Sequence, residues 1–493
     1  MKKYAYLALS ATLLTSLSFS QEEVNTSYWT GNTREGTSGW GLSSVAENWS
    51  TGTIPDANTN VVFDNEYLTG EKILSIHTTS GFTCNDYTVT SNYGGHQIRV
   101  DGTMTINGDF TTQTPGTVTL LSNGSNNSAA ILNIGGSVIV GVDGDITSNV
   151  SYLNIGETTS NQWGGWGGPK NVTIGGDIIM YELGKVSFNV NLKGRTADYS
   201  NPDIDVKGLI RFEGNGSTNP NLDIINASNP YISGDNKQYS IPVEVVLACN
   251  GISGNGVISN NSNGSLDNGA SKAILLLRND SDQYFAGWIQ DGQNCTTKIV
   301  MNGTATQYLT SVNKDPEKPT EGICFTGGLE IISGTLSMRY DHPINHGDLE
   351  MRGGKLKNDS VSSAWNVNFT NLIYEGGTIV SRWNGSNMDV ITLSGGLQKG
   401  AGFADGDKFL IEVAATDVSS LTDELIIAWD NAAQKTDFTE DDFEATYFEG
   451  YEALFNIKDD GLYLSYIAVP EPAAFAVMLG ALALGLCACR KRK

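Results

Sequence analysis

Two aspartates and a lysine, Asp203, Asp205 and Lys207, alternate with apolar residues in a way that could support acid-base chemistry. Successive side chains of a β-strand point to opposite faces, so if Ile204 and Val206 face a core, the three charged groups stand together outside it. Two carboxylates can act as general acid and general base. The same residues also suit the solvated face of an acidic protein. We favour that second interpretation and assign no catalytic residue.

Two histidines have a spacing that can bind metals. His342 and His346 are four residues apart, which on a helix would bring both imidazoles to one face. Pro343 and Asn345 favour a turn instead, and no glutamate follows in the order that zinc proteases use. We therefore predict two loop histidines, no metal site and no cofactor.

A glycine-rich stretch at 163–168 contains two tryptophans, Trp163 and Trp166. Exposed indole rings can stack on sugar rings, so both are candidate contacts for an extracellular polysaccharide. A loop that folds its tryptophans back over the core is the alternative, and we favour it.

The sequence around these residues predicts short strands that are arranged in repeats. In the first half, an apolar-x-apolar-x-Gly-x-apolar motif recurs at steps of 28, 40 and 32 residues. In the second half, the motif has one more residue before the glycine and recurs at steps of 20, 23 and 19 residues. The first motif occupies Met104 to Phe110, Leu132 to Val138, Val172 to Ile178 and Ile204 to Ile210. The second occupies Leu329 to Leu336, Leu349 to Leu356 and Leu372 to Ile379, with a fainter copy at Ile391 to Gln398.

Such repeats predict an all-β fold in which rungs of two or three short strands stack as a parallel β-helix, or β-solenoid. The glycine supplies either a positive φ or room for close approach where the chain turns. A pair of antiparallel β-sandwiches is the alternative, since it also has short alternating strands. We favour the solenoid because glycine returns in register in each copy.

The second-half segments, Gly327 to Leu336 and Tyr374 to Ile379, resemble the autotransporter-associated β-strand repeat of bacterial passenger domains. The resemblance implies stacked rungs of a passenger type. The tail of this chain has a helical pattern rather than that of a translocator barrel, so we do not expect self-secretion.

We expect residues 21–70, which contain Trp29, Trp40 and Trp49, to form an N-terminal cap. Residues 71–400 are expected to form the solenoid. Residues 401–468 are richer in acidic and aromatic residues, which indicates a distinct C-terminal β-rich capping region. A short helix is expected within Asp437 to Tyr451.

The composition excludes some partners. The net charge is −24. Without the six basic residues and one acid of the terminal segments described below, 24 basic and 53 acidic residues remain, a net charge of −29. Such a chain repels nucleic acids and anionic membrane surfaces.

Four cysteines lie between the terminal segments, namely Cys84, Cys249, Cys295 and Cys324. An exported chain can form disulfides, and neighbouring rungs would place Cys295 and Cys324 within bonding range. That pair is the disulfide we expect.

The N-terminus has the pattern of a signal peptide over residues 1–20. Lys2 and Lys3 precede an apolar stretch, and small residues follow it, which places cleavage between Ser20 and Gln21. The apolar core is too short to cross a bilayer. Export from the cytoplasm is therefore expected.

The C-terminal segment 469–493 has three parts. Pro470, Glu471 and Pro472 precede an apolar run at 473–489, which as a helix reaches about 25 Å and just spans a bilayer. The terminal Arg490, Lys491, Arg492 and Lys493 are expected on the cytoplasmic side.

This tail resembles the PEP-CTERM sorting signal of Gram-negative bacteria. The resemblance implies that an exosortase-type enzyme recognises Pro470, Glu471 and Pro472 and removes the segment from Ala473 onward. A plain membrane anchor with the same topology is the alternative.

Together these features predict a non-enzymatic structural or adhesive protein of the cell surface or extracellular matrix, held transiently in the inner membrane by residues 473–489. Extracellular polysaccharide is a possible partner. The alternative is a polysaccharide lyase, glycoside hydrolase or carbohydrate-binding protein on the same fold.

Overall fold

The computed structural model describes residues 24–469 except 35–38, 70–72, 74, 79–80, 123–129, 145–149, 157–168, 170, 189–196, 215–219, 228–243, 263–270, 293–294, 312–321, 340–341, 359–364 and 430–435. No helix in these residues is long and apolar enough to cross a membrane. The apolar segment 473–489 and the following predicted site residues lie outside them: Ser20, Gln21, Trp163, Trp166, Pro470, Glu471, Pro472, Arg490, Lys491, Arg492 and Lys493.

The described residues form strands and short 3-10 turns. The strands up to residue 206 are β1 (Asn25–Tyr28), β2 (Trp40–Leu42), β3 (Thr59–Phe63), β4 (Ser75–Thr78), β5 (Phe82–Cys84), β6 (Tyr87–Val89), β7 (His96–Val100), β8 (Thr103–Ile106), β9 (Phe110–Thr112), β10 (Thr117–Ser122), β11 (Ile131–Ile134), β12 (Val138–Val140), β13 (Ser151–Ile155), β14 (Asn171–Ile174), β15 (Ile178–Tyr181), β16 (Gly184–Phe188) and β17 (Ile204–Val206). The next are β18 (Ile210–Glu213), β19 (Asn221–Ala227), β20 (Glu244–Cys249), β21 (Ile252–Gly254), β22 (Val257–Ser262), β23 (Ser271–Leu277), β24 (Gln283–Phe285), β25 (Trp288–Gln290), β26 (Cys295–Leu309), β27 (Ile323–Cys324) and β28 (Leu329–Met338). The last are β29 (His342–Asn345), β30 (Leu349–Lys357), β31 (Asn366–Phe369), β32 (Leu372–Arg382), β33 (Val390–Leu393), β34 (Leu397–Lys399), β35 (Phe409–Ala414), β36 (Glu424–Trp429), β37 (Phe443–Ala445), β38 (Tyr451–Lys458) and β39 (Gly461–Ala468).

In the first half, each rung of the fold consists of three short strands. The chain passes twice through a 23-stranded sheet and once through a 10-stranded sheet, as in β8, β9 and β10, and then repeats the circuit one layer further on. Equivalent strands pair in parallel, so β8 pairs with β11 and β11 with β14. The expected all-β chain with parallel sheets is confirmed, and its arrangement is consistent with a β-helix.

Between residues 295 and 382 the rung is built differently. The 15-residue strand β26 pairs with both β23 and β24, so one long strand now replaces two short ones. The long strands β28, β30 and β32 then alternate with members of a third, 6-stranded sheet. This change explains why the motif spacing falls to about twenty residues: the second rung type has fewer corners.

One column of buried apolar residues passes through both rung types. Each member pairs in register with the next, and each is buried. The column is Phe82, Met104, Leu132, Val172, Ile204, Leu247, Leu275, Ile299, Leu329, Leu349, Leu372 and Leu397. Burying a side chain of this size contributes about 1.5–3 kcal/mol before ordering entropy is subtracted.

The motif glycines stack along the same axis, for a different reason in each half. Gly136 N donates to Gly108 O at 2.8 Å, and a Cβ on Gly136 would lie 2.7 Å from that carbonyl oxygen, so close approach excludes larger residues there. In the second half, Gly334, Gly354 and Gly377 occupy equivalent register positions with φ of 74°, 59° and 94°. Both predicted roles of glycine therefore occur, each in its own rung type.

A ladder of side-chain acceptors follows the first-half glycines. Asp86 Oδ1 accepts from Asp109 N at 2.9 Å, and Asp109 Oδ1 accepts from Ser137 N at 2.7 Å. Ser137 Oγ then accepts from Asp177 N at 3.1 Å, and Asp177 Oδ1 from Leu209 N at 2.8 Å. Each polar side chain thus satisfies a backbone donor in the adjacent rung, which ties neighbouring corners together.

Two expectations about local structure are wrong. The fainter repeat copy is out of register, because Leu397 pairs with Leu372 whereas Ile391 lies in β33 and pairs with Val367 in another sheet. The helix expected within Asp437 to Tyr451 is absent from the described residues: a 3-10 turn at Glu440–Asp442 leads into β37. Pairing of Phe443 with Phe409 extends the ladder there and overrides local helical propensity.

The expected disulfide is also wrong, because all four cysteines are buried thiols. Cys295 begins β26 and pairs with Ser271, whereas Cys324 lies in the 10-stranded sheet beside Gln290. The two residues therefore belong to different sheets of the rung. Burial raises the pKa of both thiols to about 12.

The ends of the fold differ from its middle. At the start, Trp29 and Trp49 pack edge to face with ring centroids 5.0 Å apart, beside the parallel pair β1 and β3. At the other end, β39 pairs antiparallel with both β36 and β38. The limits of the caps at residues 70 and 400 stay predictions.

Candidate functional site

The three charged residues singled out from the sequence occupy different environments. Asp203 is buried, and its carboxylate accepts a hydrogen bond from Val246 N at 3.0 Å. Asp205 forms ion pairs with Lys207 and, at 2.5 Å, with Arg278. Burial raises the pKa of Asp205, but the hydrogen bonds from Lys207 and Arg278 outweigh burial and leave that pKa below its usual value. The geometry thus gives each carboxylate a bonding partner.

The two histidines do not share a helical face. His342 begins strand β29, and His346 follows that strand with its ring fully buried. The Nδ1 atom of His346 lies 2.9 Å from Phe325 O, and burial lowers the pKa of His346 to about 4. No group of three or more His, Cys, Asp or Glu side chains in the described part of the chain could hold a metal ion.

A cluster of paired ionisable groups lies where no sequence pattern had indicated one. It lies on the outer face of β26, β28 and β30, where Glu330 and Glu350 are direct partners in register. We call it the outer charged cluster: Lys298, Glu330, Glu350, Arg352 and Tyr199. Because Leu329 and Leu349 face inward, the alternation of the strand turns both glutamates outward.

Every carboxylate oxygen in this cluster has a partner. Lys298 Nζ lies 2.8 Å from Glu330 Oε2 and 3.0 Å from Glu350 Oε1. Arg352 contacts the other two oxygens, Glu330 Oε1 at 2.9 Å and Glu350 Oε2 at 3.0 Å. Tyr199 OH donates to Glu330 Oε2 at 2.9 Å. The cluster therefore joins three rungs through two cations and two anions.

The electrostatics of the cluster follow from this pairing. Burial opposes the charged form of Lys298, but hydrogen bonding to Glu330 and the charges nearby raise the pKa of the lysine. Burial raises the pKa of Glu350, but the charges and hydrogen bonds of Lys298 and Arg352 outweigh burial. The pKa of Glu350 is therefore below its usual value. Burial, the largest cause, raises the pKa of Tyr199 to about 12. Each of the two glutamates contacts both Lys298 and Arg352, an arrangement that suits cross-linking of rungs better than proton transfer.

Beside this cluster the outer face of the sheet is apolar and buried. We call it the outer apolar patch: Val246, Ala248, Ile274, Leu276 and Val300. Ala197 and Tyr199 pack against it, with Ala197 N donating to Glu244 Oε2 at 2.9 Å. Residues 197–199 thus link β20 to β28 across the outside of the fold. The sequence signal was present in the unbroken apolar run at 273–277, because strands buried on both faces lose the alternating pattern.

No protein-family model matches this chain, and no curated protein matches it either.

Proposed function

We propose that this chain is an exported structural or adhesive protein of the cell surface or extracellular matrix, and that its parallel β-solenoid acts as a rigid spacer. The observation that carries the proposal is the continuous column of paired, buried residues from Phe82 to Leu397. A column with one continuous core has no hinge at which its two halves can move separately. Rigidity of this kind suits a part that projects a surface away from a cell.

The dimensions fit this role. Eleven steps between adjacent rungs at about 4.8 Å each give a column of about 53 Å. The outer charged cluster and the ladder of side-chain acceptors add contacts between rungs that a simple apolar stack would lack. The net charge of −24 further suits a surface that must remain soluble.

The route to the surface is proposed from the sequence alone. The signal peptide at 1–20 would direct export, and the PEP-CTERM-like tail at 469–493 would be recognised by an exosortase-type enzyme of a Gram-negative-type bacterium. Residues 473–489 would hold the chain in the inner membrane until that step. Extracellular polysaccharide is the proposed surrounding material.

Sorting is tested by replacing Pro470, Glu471 and Pro472 together with alanine in the full-length chain. We expect the C-terminal tail to stay attached and the protein to remain in the inner membrane, as measured by mass spectrometry and cell fractionation. A matched control replaces three consecutive exposed residues, Asp280, Ser281 and Asp282, with alanine and should be processed and located normally. Normal processing and location of the triple variant would contradict the sorting proposal.

An enzyme that cleaves polysaccharides is the weaker proposal. It needs an outward acid that is available for proton transfer, whereas the three outward acids described above, Asp205, Glu330 and Glu350, are each engaged with lysine or arginine. The test is to incubate the full-length protein with an acidic polysaccharide. Shortening of the polysaccharide chain that is abolished by Asp203→Ala and Asp205→Ala would favour an enzyme over a structural protein.

A further inference from the structure

An open groove lies where β32 and β35 end, among residues that the structural role does not use. Its volume is about 530 Å³, within the range of about 300–1,000 Å³ typical of small-molecule sites. Arg382 and Ala414 are partners in register, so the two strands end side by side and the loops that follow form the walls. We call it the Trp383 groove.

The loops that form the walls are held in place by their own hydrogen bonds. Asn384 Oδ1 accepts from Ser386 N at 3.0 Å and from Asn387 N at 2.9 Å, which closes the first loop into a tight turn. Asp417 accepts from both the backbone and the hydroxyl of Ser419, at 2.8 Å and 2.9 Å. A ligand would therefore meet preformed walls, which reduces the ordering cost of binding.

The lining combines one aromatic ring with hydroxyl, amide, carboxylate and guanidinium groups. Trp383 is 6% exposed and lines the groove, and its Nε1 has no hydrogen-bond partner among the described residues. A buried donor without a partner costs about 1–3 kcal/mol, so a ligand hydroxyl that reached this N–H group would be bound favourably. The polar residues around it are Arg382, Asn384, Thr416, Asp417 and Ser420.

From this lining we infer that the Trp383 groove binds a neutral saccharide. Sugars present hydroxyl groups, which match the polar rim, and apolar C–H groups, which match Ala414, Ala415 and the exposed edge of the indole. A lipid would leave the polar rim unpaired, and nucleic acid is excluded by the charge of the chain. The inference rests on the proposed location outside the cell, where the protein would meet such polymers.

Charge selects a neutral sugar over an acidic one. Asp389 lies 3.7 Å from the guanidinium of Arg382, so the cation already has an anionic neighbour. The hydrogen bonds from Ser419 lower the pKa of Asp417, which keeps that carboxylate ionised at neutral pH. The groove lining therefore carries no excess of positive charge, and in a protein of net charge −24 a uronic acid would be repelled.

The test is binding of the purified full-length chain to an array of neutral and acidic bacterial oligosaccharides, followed by titration calorimetry on the strongest neutral hit. We expect at least one neutral oligosaccharide to bind, and the double variant Thr416→Val, Ser420→Ala to weaken that binding at least tenfold. Trp383→Phe, which keeps a ring but removes the N–H, should also weaken it. Thr422→Val, on the same loop but outside the groove lining, is the matched control and should bind normally.

Absence of neutral binding, binding of acidic sugars only, or equal binding by the double variant would overturn the inference. Circular dichroism of each variant confirms that its fold is intact, and the two exposed hydroxyl positions keep the test valid if Trp383→Phe fails to fold. The outcome is separate from that of the sorting experiment. A chain that binds sugar but is not exported contradicts the proposed function alone, and an exported chain that binds none contradicts the groove alone.

Discussion

Asp109 illustrates how a single polar side chain contributes to this fold. Its own backbone N–H is satisfied by Asp86 of one rung, and its carboxylate satisfies Ser137 N of the next. The residue after the motif glycine is therefore a connector between rungs as well as a turn residue. Serine can replace aspartate at that position because its hydroxyl also accepts, as Ser137 does for Asp177 N.

The buried ring of His346 should make the stability of the fold depend on pH. Its folded-state pKa of about 4 lies below the usual 6.5, so the unfolded chain binds a proton more readily. The associated stability is present above pH 6.5 and is lost as pH falls toward 4, a loss of about 3 kcal/mol.

The measurement compares urea unfolding of the wild type and His346→Gln at several pH values between 7 and 4. Glutamine can still donate to Phe325 O but does not titrate in this range. We expect the variant to lose less stability on acidification. The slope of its free energy of unfolding against pH should be smaller, by an amount that corresponds to about one proton. Identical slopes would show that His346 does not contribute.

At the scale of elements, the second rung type depends on glycines that bend a continuous strand. Gly354 has φ of 59°, and a Cβ there would lie 2.5 Å from Gly334 O. Gly406 also has a positive φ, 93°, but a Cβ on Gly406 would point into open space, with no atom of the described residues within 4 Å. Alanine at Gly406 would therefore cause backbone strain alone, whereas alanine at Gly354 would cause both strain and a steric clash.

We expect Gly354→Ala to lower the free energy of unfolding by about 3 kcal/mol, because strain and clash add. Gly406→Ala, with strain alone, should cost about 1–2 kcal/mol. Thermal and urea unfolding of both variants measure the difference. Equal losses would mean that stacking of Gly334 and Gly354 is not a tight contact.

On the scale of the whole molecule, a stacked column should tolerate the loss of a complete rung. Leu329 and Leu349 both begin a rung and pair with each other, so removing residues 329–348 would bring Leu349 against Ile299. Glu350 would then occupy the place of Glu330 in the outer charged cluster.

We expect the 329–348 deletion to fold, with a cooperative thermal transition and the far-ultraviolet spectrum of a β protein. Removal of residues 329–338 alone is the control, since it leaves half a rung and shifts every later strand out of register. That variant should not fold. Equal behaviour of the two deletions would contradict the rung boundaries.

The strand pattern can be predicted from the sequence, because alternating apolar residues and recurrent glycines reflect the local geometry of each rung. It placed Met104, Leu132, Val172 and Ile204 as equivalents, and Leu329, Leu349 and Leu372 as another set. Only the tertiary structure joined the two sets into one column. The linking strands β20 and β23 are buried on both faces and therefore show no alternation.

Contacts between side chains that are distant in sequence depend on the tertiary structure. Tyr199 and Glu330 are separated by 131 residues, and no local pattern could pair them. The same limit explains the wrong cysteine pair, since Cys295 and Cys324 are close in sequence but lie in different sheets. Local periodicity fixes which face of a strand is buried, whereas the length and path of each connection fix which strand comes next to it.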